Sequence, residues 1–325
     1  MKTRNLIIKL LKKHSQMTVH DIAENLKVSR QYVHRMLNEL EEDNLIMVLG
    51  KAPKVYYSLK LQEKNTYVNS ITFENELFLN QHFILVDPLG NLLEGLEAMQ
   101  YWCDKQNLPL NKTIFEYIDT RKKYLIYFNQ EELIDGKEKL VQTKGVINVG
   151  VDNLFYLDFY TIERFGKTRL GTLMHYAKQG QNKLLMKRIV TEIRQRVYKL
   201  IDEKQIDAVL FVPPTIDRKV QIMTVLHNLL KIERPTIKVD KIKNQIVVPQ
   251  KALSKIFERI ANAKNTFYVP NQKKYKRVLI IDDAIGSGAT INEIAIKLKE
   301  KKIASEIIGL AITGSYKGFD VISEL

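Results

Sequence analysis

Asp282 and Asp283 stand side by side, and Ala284, Gly286, Ser287, Gly288, Ala289 and Thr290 follow almost at once. Two neighbouring carboxylates can accept hydrogen bonds from vicinal hydroxyls and share a divalent cation. Residues with little side-chain bulk let backbone N–H groups close around an anion, and a helix starting there adds the positive end of its dipole. Hydroxyl acceptors beside an amide cradle suit a sugar phosphate. The flanking sequence supplies the elements that must hold these groups. Val278 to Ile281 are continuously apolar, as a central parallel strand would be, and the chain from Ile291 reads as a helix. The expected order is strand, acid pair, small loop, helix. A dinucleotide fingerprint fits worse, because Gly286 and Gly288 are present but position 291 is Ile. The alternative without chemistry is a solvated Asp-Asp turn.

The stretch Arg277 to Thr290 resembles the phosphoribosyl-pyrophosphate (PRPP) signature of the type I phosphoribosyltransferases, with Gly-Ser where that family more often has Thr-Thr or Thr-Gly. The resemblance implies that Asp282 and Asp283 hold the ribose hydroxyls and, with the ligand phosphates, Mg²⁺. It implies that Ala284 and Gly286 to Thr290 hold the 5′-phosphate. Upstream, Asp207 to Val212 reads as an apolar strand, Pro213-Pro214-Thr215 as a stiff turn, and Arg218 to Leu230 as an amphipathic helix. By the same resemblance, Thr215, Arg218 and Lys219 would take the pyrophosphate; the proline pair could equally be a rigid connector. From Pro249 to Val269, the residues Gln250, Leu253, Arg259, Asn262, Phe267 and Val269 occur in the order found in the ComF family of competence-associated phosphoribosyltransferases. This similarity covers roughly residues 155–325 and makes Gln250, Arg259 and Asn262 a hood over the site; the other reading is an ordinary surface helix. The usual Cys-rich zinc element of that family is absent.

A helix-turn-helix pattern stands in its place. Leu6, Ile7, Leu10 and Leu11 form one helical stripe, Thr18 caps a second helix with Ile22, Ala23 and Leu26 inward, and Ser29 caps a third with Val33, Met36, Leu37 and Leu40 inward. Ile46 to Leu59 reads as two strands around a Gly50–Pro53 turn. Residues 1–62 thus resemble the winged helix-turn-helix regulators of bacteria and archaea. Ser29, Arg30, Gln31, Tyr32, His34 and Arg35 open the third helix, where they could meet phosphates and base edges of duplex DNA. Tyr32 could equally pack inward, and the whole module could instead contact protein. Lys51 and Lys54 mark the wing tip.

Between the two patterns, about 62–72 reads as a linker, and residues 66–150 as an α/β connecting domain with no catalytic constellation. In it, Leu92 to Trp102 is expected to be a helix, and Lys122–Phe128 and Val146–Val151 strands. Phe165-Gly-Lys-Thr168 is no Walker loop, because position 161 is Thr and no buried strand feeds it. A helix is expected from Thr168 to Lys178.

The 325 residues allow two or three domains, 45% of them are hydrophobic, and the formal net charge is +14. Such a balance suits an acidic partner such as nucleic acid, although a Lys-rich surface gives the same number. The single cysteine, Cys103, excludes an intrachain disulfide and a cysteine-based zinc site. No apolar run approaches the ~20 residues of a membrane span, so a cytoplasmic protein is expected. The fold class expected is α/β: a winged helix, a connecting region, and a doubly wound parallel sheet of phosphoribosyltransferase type. The function that accounts for both ends is a DNA-binding regulator, expected as a homodimer, that takes PRPP or a nucleotide with Mg²⁺ as effector. The purine repressor family of Gram-positive bacteria joins the same two domain types. An active phosphoribosyltransferase, with catalytic residues unassigned, and a competence or DNA-processing accessory protein are the other readings.

Overall fold

The computed structural model describes residues 3–14, 16–43, 45–51, 53–59, 71–143, 146–214, 218–242, 264–270 and 273–316. The chain begins with α1 (Thr3–His14), β1 (Gln16–Met17), α2 (Val19–Leu26), α3 (Arg30–Glu42), β2 (Ile46–Lys51) and β3 (Lys54–Leu59). Local chemistry sets these breaks. Thr18 and Asp21 form a capping box: the Thr18 hydroxyl accepts from the Asp21 N–H, and the Asp21 carboxylate accepts from the Thr18 N–H. Lys27 ends α2 in the left-handed region. Ser29 Oγ then caps α3 by accepting from the Tyr32 N–H at 3.2 Å, as a hydroxyl at that position does. Ile7, Leu11, Ile22, Val33, Leu37 and Leu40 close a core over the antiparallel sheet β1-β3-β2, which supplies Ile46 and Tyr57.

Next come α4 (Phe73–His82), β4 (Ile84–Val86), β5 (Leu92–Glu94), α5 (Gly95–Gln106), α6 (Leu110–Leu125), β6 (Ile134–Asp135) and α7 (Lys137–Gln142). Three elements differ from expectation. Lys122 to Phe128 is the end of α6 and the turn after it, because Ile114, Tyr117, Ile118 and Tyr124 recur at helical spacing and are all buried. Leu92 and Leu93 pair with Val86 and Leu85 in a hairpin, and the helix starts only at Gly95. Val146 to Val151 forms no strand and joins no ladder.

The remainder is β7 (Asn153–Phe159), β8 (Thr161–Ile162), a 3₁₀ turn (Glu163–Phe165), β9 (Gly166–Lys167), α8 (Arg169–Gln179), α9 (Lys183–Glu203), β10 (Ala208–Phe211), α10 (Ile222–Leu230), β11 (Asp240–Lys241), β12 (Phe267–Tyr268), β13 (Tyr275–Ile285), α11 (Ala289–Glu300) and β14 (Ala304–Gly314). The helix expected from Arg218 starts at Ile222. The side-chain oxygen of Gln181 accepts from the Val220 N–H at 2.8 Å, and Arg218 to Val220 lie outside the helix.

Among the described residues, a mixed five-stranded sheet runs β10-β13-β14-β7-β6, parallel except for β6. It is sandwiched. Leu279 and Ile281 of β13, with Phe155, Leu157, Ile308 and Leu310, face α8, α9 and α10. Val278 and Ile280, with Leu154, Tyr156, Ile307 and Ala311, face α11 and share one apolar cluster with Leu79 of α4, Ala98 of α5 and Ile114 of α6. Alternate residues of one strand therefore serve opposite layers. Past α10 the chain pairs Thr236 with Val209 in parallel on the outer side of β10, then returns to lay β13 on the inner side. The winding reverses between β10 and β13, and in open α/β sheets the crevice at the carboxyl ends of such strands is where ligands bind.

Candidate functional site

The acid pair and the small-residue loop lie at that crevice. β13 runs further than its apolar stretch suggests: Asp282 pairs with Ala311 and Ala284 with Thr313, so both acids belong to the strand, held there by the length of β14. The Val212 N–H donates to the Ile281 carbonyl at 2.9 Å, which sets Pro213 and Pro214 beside the acids. The strand alternation continues through them. Asp282 shares the parity of Val278 and Ile280, on the α11 side; Asp283 shares that of Leu279 and Ile281, on the α8 side.

On the α11 side, Gly286, Ser287 and Gly288 turn directly into the helix. Gly288 takes the N-cap position at φ 75°, a conformation that favours glycine. A Cβ there would lie 2.9 Å from Leu140 of α7. The first N–H groups of α11 have no acceptor within the helix and point to the loop. Asn292 anchors this end: its Oδ1 accepts from the Gly150 N–H at 2.8 Å and its Nδ2 donates to the Asn148 carbonyl at 2.9 Å. That is how residues 146–151 find partners outside the sheet ladder. The far side of the loop is tied by the Ser315 N–H, which donates to the Ile285 carbonyl at 3.1 Å, and by Lys139, which donates to the Ser315 carbonyl.

On the α8 side, Lys178 forms an ion pair with Asp283. Arg218 donates to the Lys178 carbonyl at 2.7 Å, so the last turn of α8 holds both an acid of β13 and a cation of the loop after β10. Burial first, and then the adjacent Asp283 carboxylate, push the Asp282 carboxyl up to about 7, against the opposing pull of the Asp283 N–H (2.7 Å) and Lys178. Both causes disfavour the charged form.

Of the residues expected at this site, Asp282, Asp283, Ala284 and Gly286 to Thr290 surround the end of β13, and Arg218 joins them through Lys178. Lys219 is exposed on the same loop. Thr215, Gln250, Arg259 and Asn262 lie outside the described residues. Lys178 is the group that sequence reasoning missed: it ends a correctly expected helix, but nothing local links it to an acid 105 positions away.

At the other end of the chain, Arg30, Gln31, His34 and Arg35 are exposed on α3, behind the Ser29 cap. Arg30 lies 3.0 Å from the His20 ring nitrogen, and the Arg35 guanidinium sits 5.0 Å from the Tyr32 ring centre. Tyr32 thus packs partly into the core and also steadies a cation. Lys51 and Lys54 pair in register across the wing hairpin, with Lys54 exposed. Residues 2–47 match the family model for winged helix-turn-helix DNA-binding domains. This N-terminal segment is therefore a winged helix-turn-helix module. No curated protein is a significant match to the chain. A direct contact joins the module to the rest: Gln16 donates to the Glu163 carboxylate at 2.8 Å. No helix among the described residues is long and apolar enough to cross a membrane.

Proposed function

We propose that the protein is a DNA-binding regulator whose β13–α11 site binds PRPP or a nucleotide as effector. The observation that carries this reading is the acid pair and helix-terminal glycine loop at the switch point of a parallel sheet, in one chain with a winged helix-turn-helix module. In this reading the 5′-phosphate accepts hydrogen bonds from the amides of Gly286 to Ala289, favoured by the α11 dipole. Asp282 and Asp283 accept from the ribose hydroxyls. The donor set suits Mg²⁺: two adjacent carboxylates and, among the described residues, no cluster of three or more His, Cys, Asp or Glu that would form an all-protein metal cage. Asp282 and Asp283 would hold the ion, and it would neutralise the ligand phosphates. Arg30, Gln31, His34 and Arg35 meet the major groove, and Lys54 the backbone.

The test follows three readouts on the full chain: PRPP binding with Mg²⁺ by calorimetry, pyrophosphate release, and duplex binding. Asp282→Asn with Asp283→Asn should weaken PRPP binding at least tenfold, about 1.4 kcal/mol. Arg30→Ala and Arg35→Ala should weaken duplex binding and shallow its salt dependence. Ligand and DNA must alter each other's affinity by one common factor, typically ~5–150-fold. Equal PRPP affinity with and without a saturating cognate duplex, together with steady pyrophosphate release onto a nitrogen acceptor, would reject the sensor in favour of a phosphoribosyltransferase.

A further inference from the structure

We infer that the outer face of the β1-β3-β2 sheet is a docking face for the rest of the protein, latched by Gln16 and Glu163, and that the latch holds α3 at one orientation through which occupancy of the β13 site reaches DNA. The transmission rests on the regulator reading above; the latch stands without it.

The sheet of the winged module has two covered faces. Val55, Tyr57 and Leu59 of β3, with Met17 of β1, pack with the module's helices. Ser58 alternates with them and so points away from those helices, as does Gln16, its partner in register. Yet Ser58 is only 5% exposed. Around one small cavity, Gln16 and Ser58 meet Glu116 and Asp119 of α6 and Glu163 and Arg164 of the 3₁₀ turn. The body thus covers the face that the module's own core leaves over, while Arg30, Gln31, His34 and Arg35 on α3 stay exposed.

This joint is made both to hold one pose and to open. Every residue lining the cavity is polar or charged. Among the described residues, the module's apolar core shares no member with either core of the body. A polar contact without a common core permits movement between units of one chain. What fixes the pose is directional: Gln16 Nε2 donates to the Glu163 carboxylate at 2.8 Å. Glu163 is presented for this with a φ of 36°, a strained value for a residue with a side chain. Arg164 anchors the turn, paired with Glu116 and lying 4.6 Å from the Phe165 ring centre. The same turn runs through β9 into α8, whose last turn carries the Lys178–Asp283 pair. One helix therefore joins the latch to the β13 tip.

Nitroxide labels on Asn25→Cys of α2 and Leu184→Cys of α9, both exposed positions, report the pose by pulsed electron resonance on the full chain; Cys103 is buried and stays unlabelled. This labelled parent should give one narrow distance. Gln16→Ala should raise the ratio of open to closed forms roughly 10–100-fold, the loss of one charge-assisted contact, and broaden the distances. Ser58→Phe should do the same by wedging a ring into the joint without entering the module's core. Gln16→Lys, which can still donate to Glu163, should stay narrow. PRPP and a saturating cognate duplex, titrated by calorimetry, supply the second readout. Gln16→Ala should remove most of their mutual effect while changing PRPP affinity without DNA less than about threefold. Broad distances in the parent, or narrow ones in both Gln16→Ala and Ser58→Phe, would overturn the latch. Full coupling in a variant with broadened distances would overturn its role in transmission. A parent that binds no PRPP or no duplex, or binds both without coupling, would instead remove the regulator reading, with the distances still deciding the latch.

Discussion

Gly288→Ala tests the loop at its tightest point, where two penalties combine. Gly288 has a φ of 75°. In that region an alanine Cβ meets its own backbone, which costs roughly 1–2 kcal/mol. The new methyl also lies 2.9 Å from Leu140 Cδ1 and 3.7 Å from Leu154 Cδ2, and Leu140 is buried, so it cannot swing into solvent. Overpacking of this kind adds about 1 kcal/mol or more. Gly288→Ala should therefore lose ~2–3 kcal/mol, measured as a urea midpoint at unchanged slope. Adding Leu140→Ala to Gly288→Ala should cost less than the sum of the single changes, since the two sites touch. PRPP affinity should fall at least tenfold in Gly288→Ala, because the change moves the amides at the start of α11. A Gly288→Ala protein as stable as the wild type, or one with full PRPP affinity, would refute this account of the loop.

Other perturbations address the frame around the site. Arg121 of α6 grips Asp158 of β7 through two bonds of 2.8 and 2.9 Å, with both side chains almost fully buried. Arg121→Met should cost about 3–5 kcal/mol by stranding the carboxylate. Arg121→Met with Asp158→Leu should recover much of that in denaturant titrations. His82 is held neutral, its pKa lowered to about 4 by burial first and then by Arg121 and Arg169. Unfolding lets it take up a proton below its ordinary value, so the stability tied to its neutral form is present above pH ~6.5 and is lost as pH falls toward ~4, by at most ~3 kcal/mol. His82→Phe should flatten that part of the stability-versus-pH curve, and an unchanged difference between the two proteins from about pH 7 to 4 would count against it.

The parts legible in the sequence are those decided locally. Thr18 and Ser29 announced the starts of α2 and α3 because a hydroxyl before an apolar stripe is sufficient to cap a helix. Val278 to Ile281 announced a buried strand because both its faces are covered by helices. Lys122 to Phe128 misled because an aromatic-rich run at a helix end has no clear period, and burial against the sheet decided the matter. The extension of β13 through Asp282 and Asp283 depended on a neighbour, β14, that reaches Gly314. Lys178 was invisible for the same reason: its partner is chosen by the packing of α8 against the sheet, which no local pattern encodes.

The position of β14 also governs the order in which the molecule can be made. It hydrogen-bonds to β13 on one side and to β7 on the other, yet it is translated after both. A nascent chain stopped before Ala304 holds β7 and β13 apart, each with an open row of backbone donors and acceptors facing the gap. Such edges recruit strands from other chains, so truncated products should be targets for chaperones and proteases rather than inert fragments. The crevice at the end of β13 cannot close early either. The acid pair has no finished setting until β14 slides into the middle of the sheet, which ties completion of the β13 tip to the synthesis of its central strand.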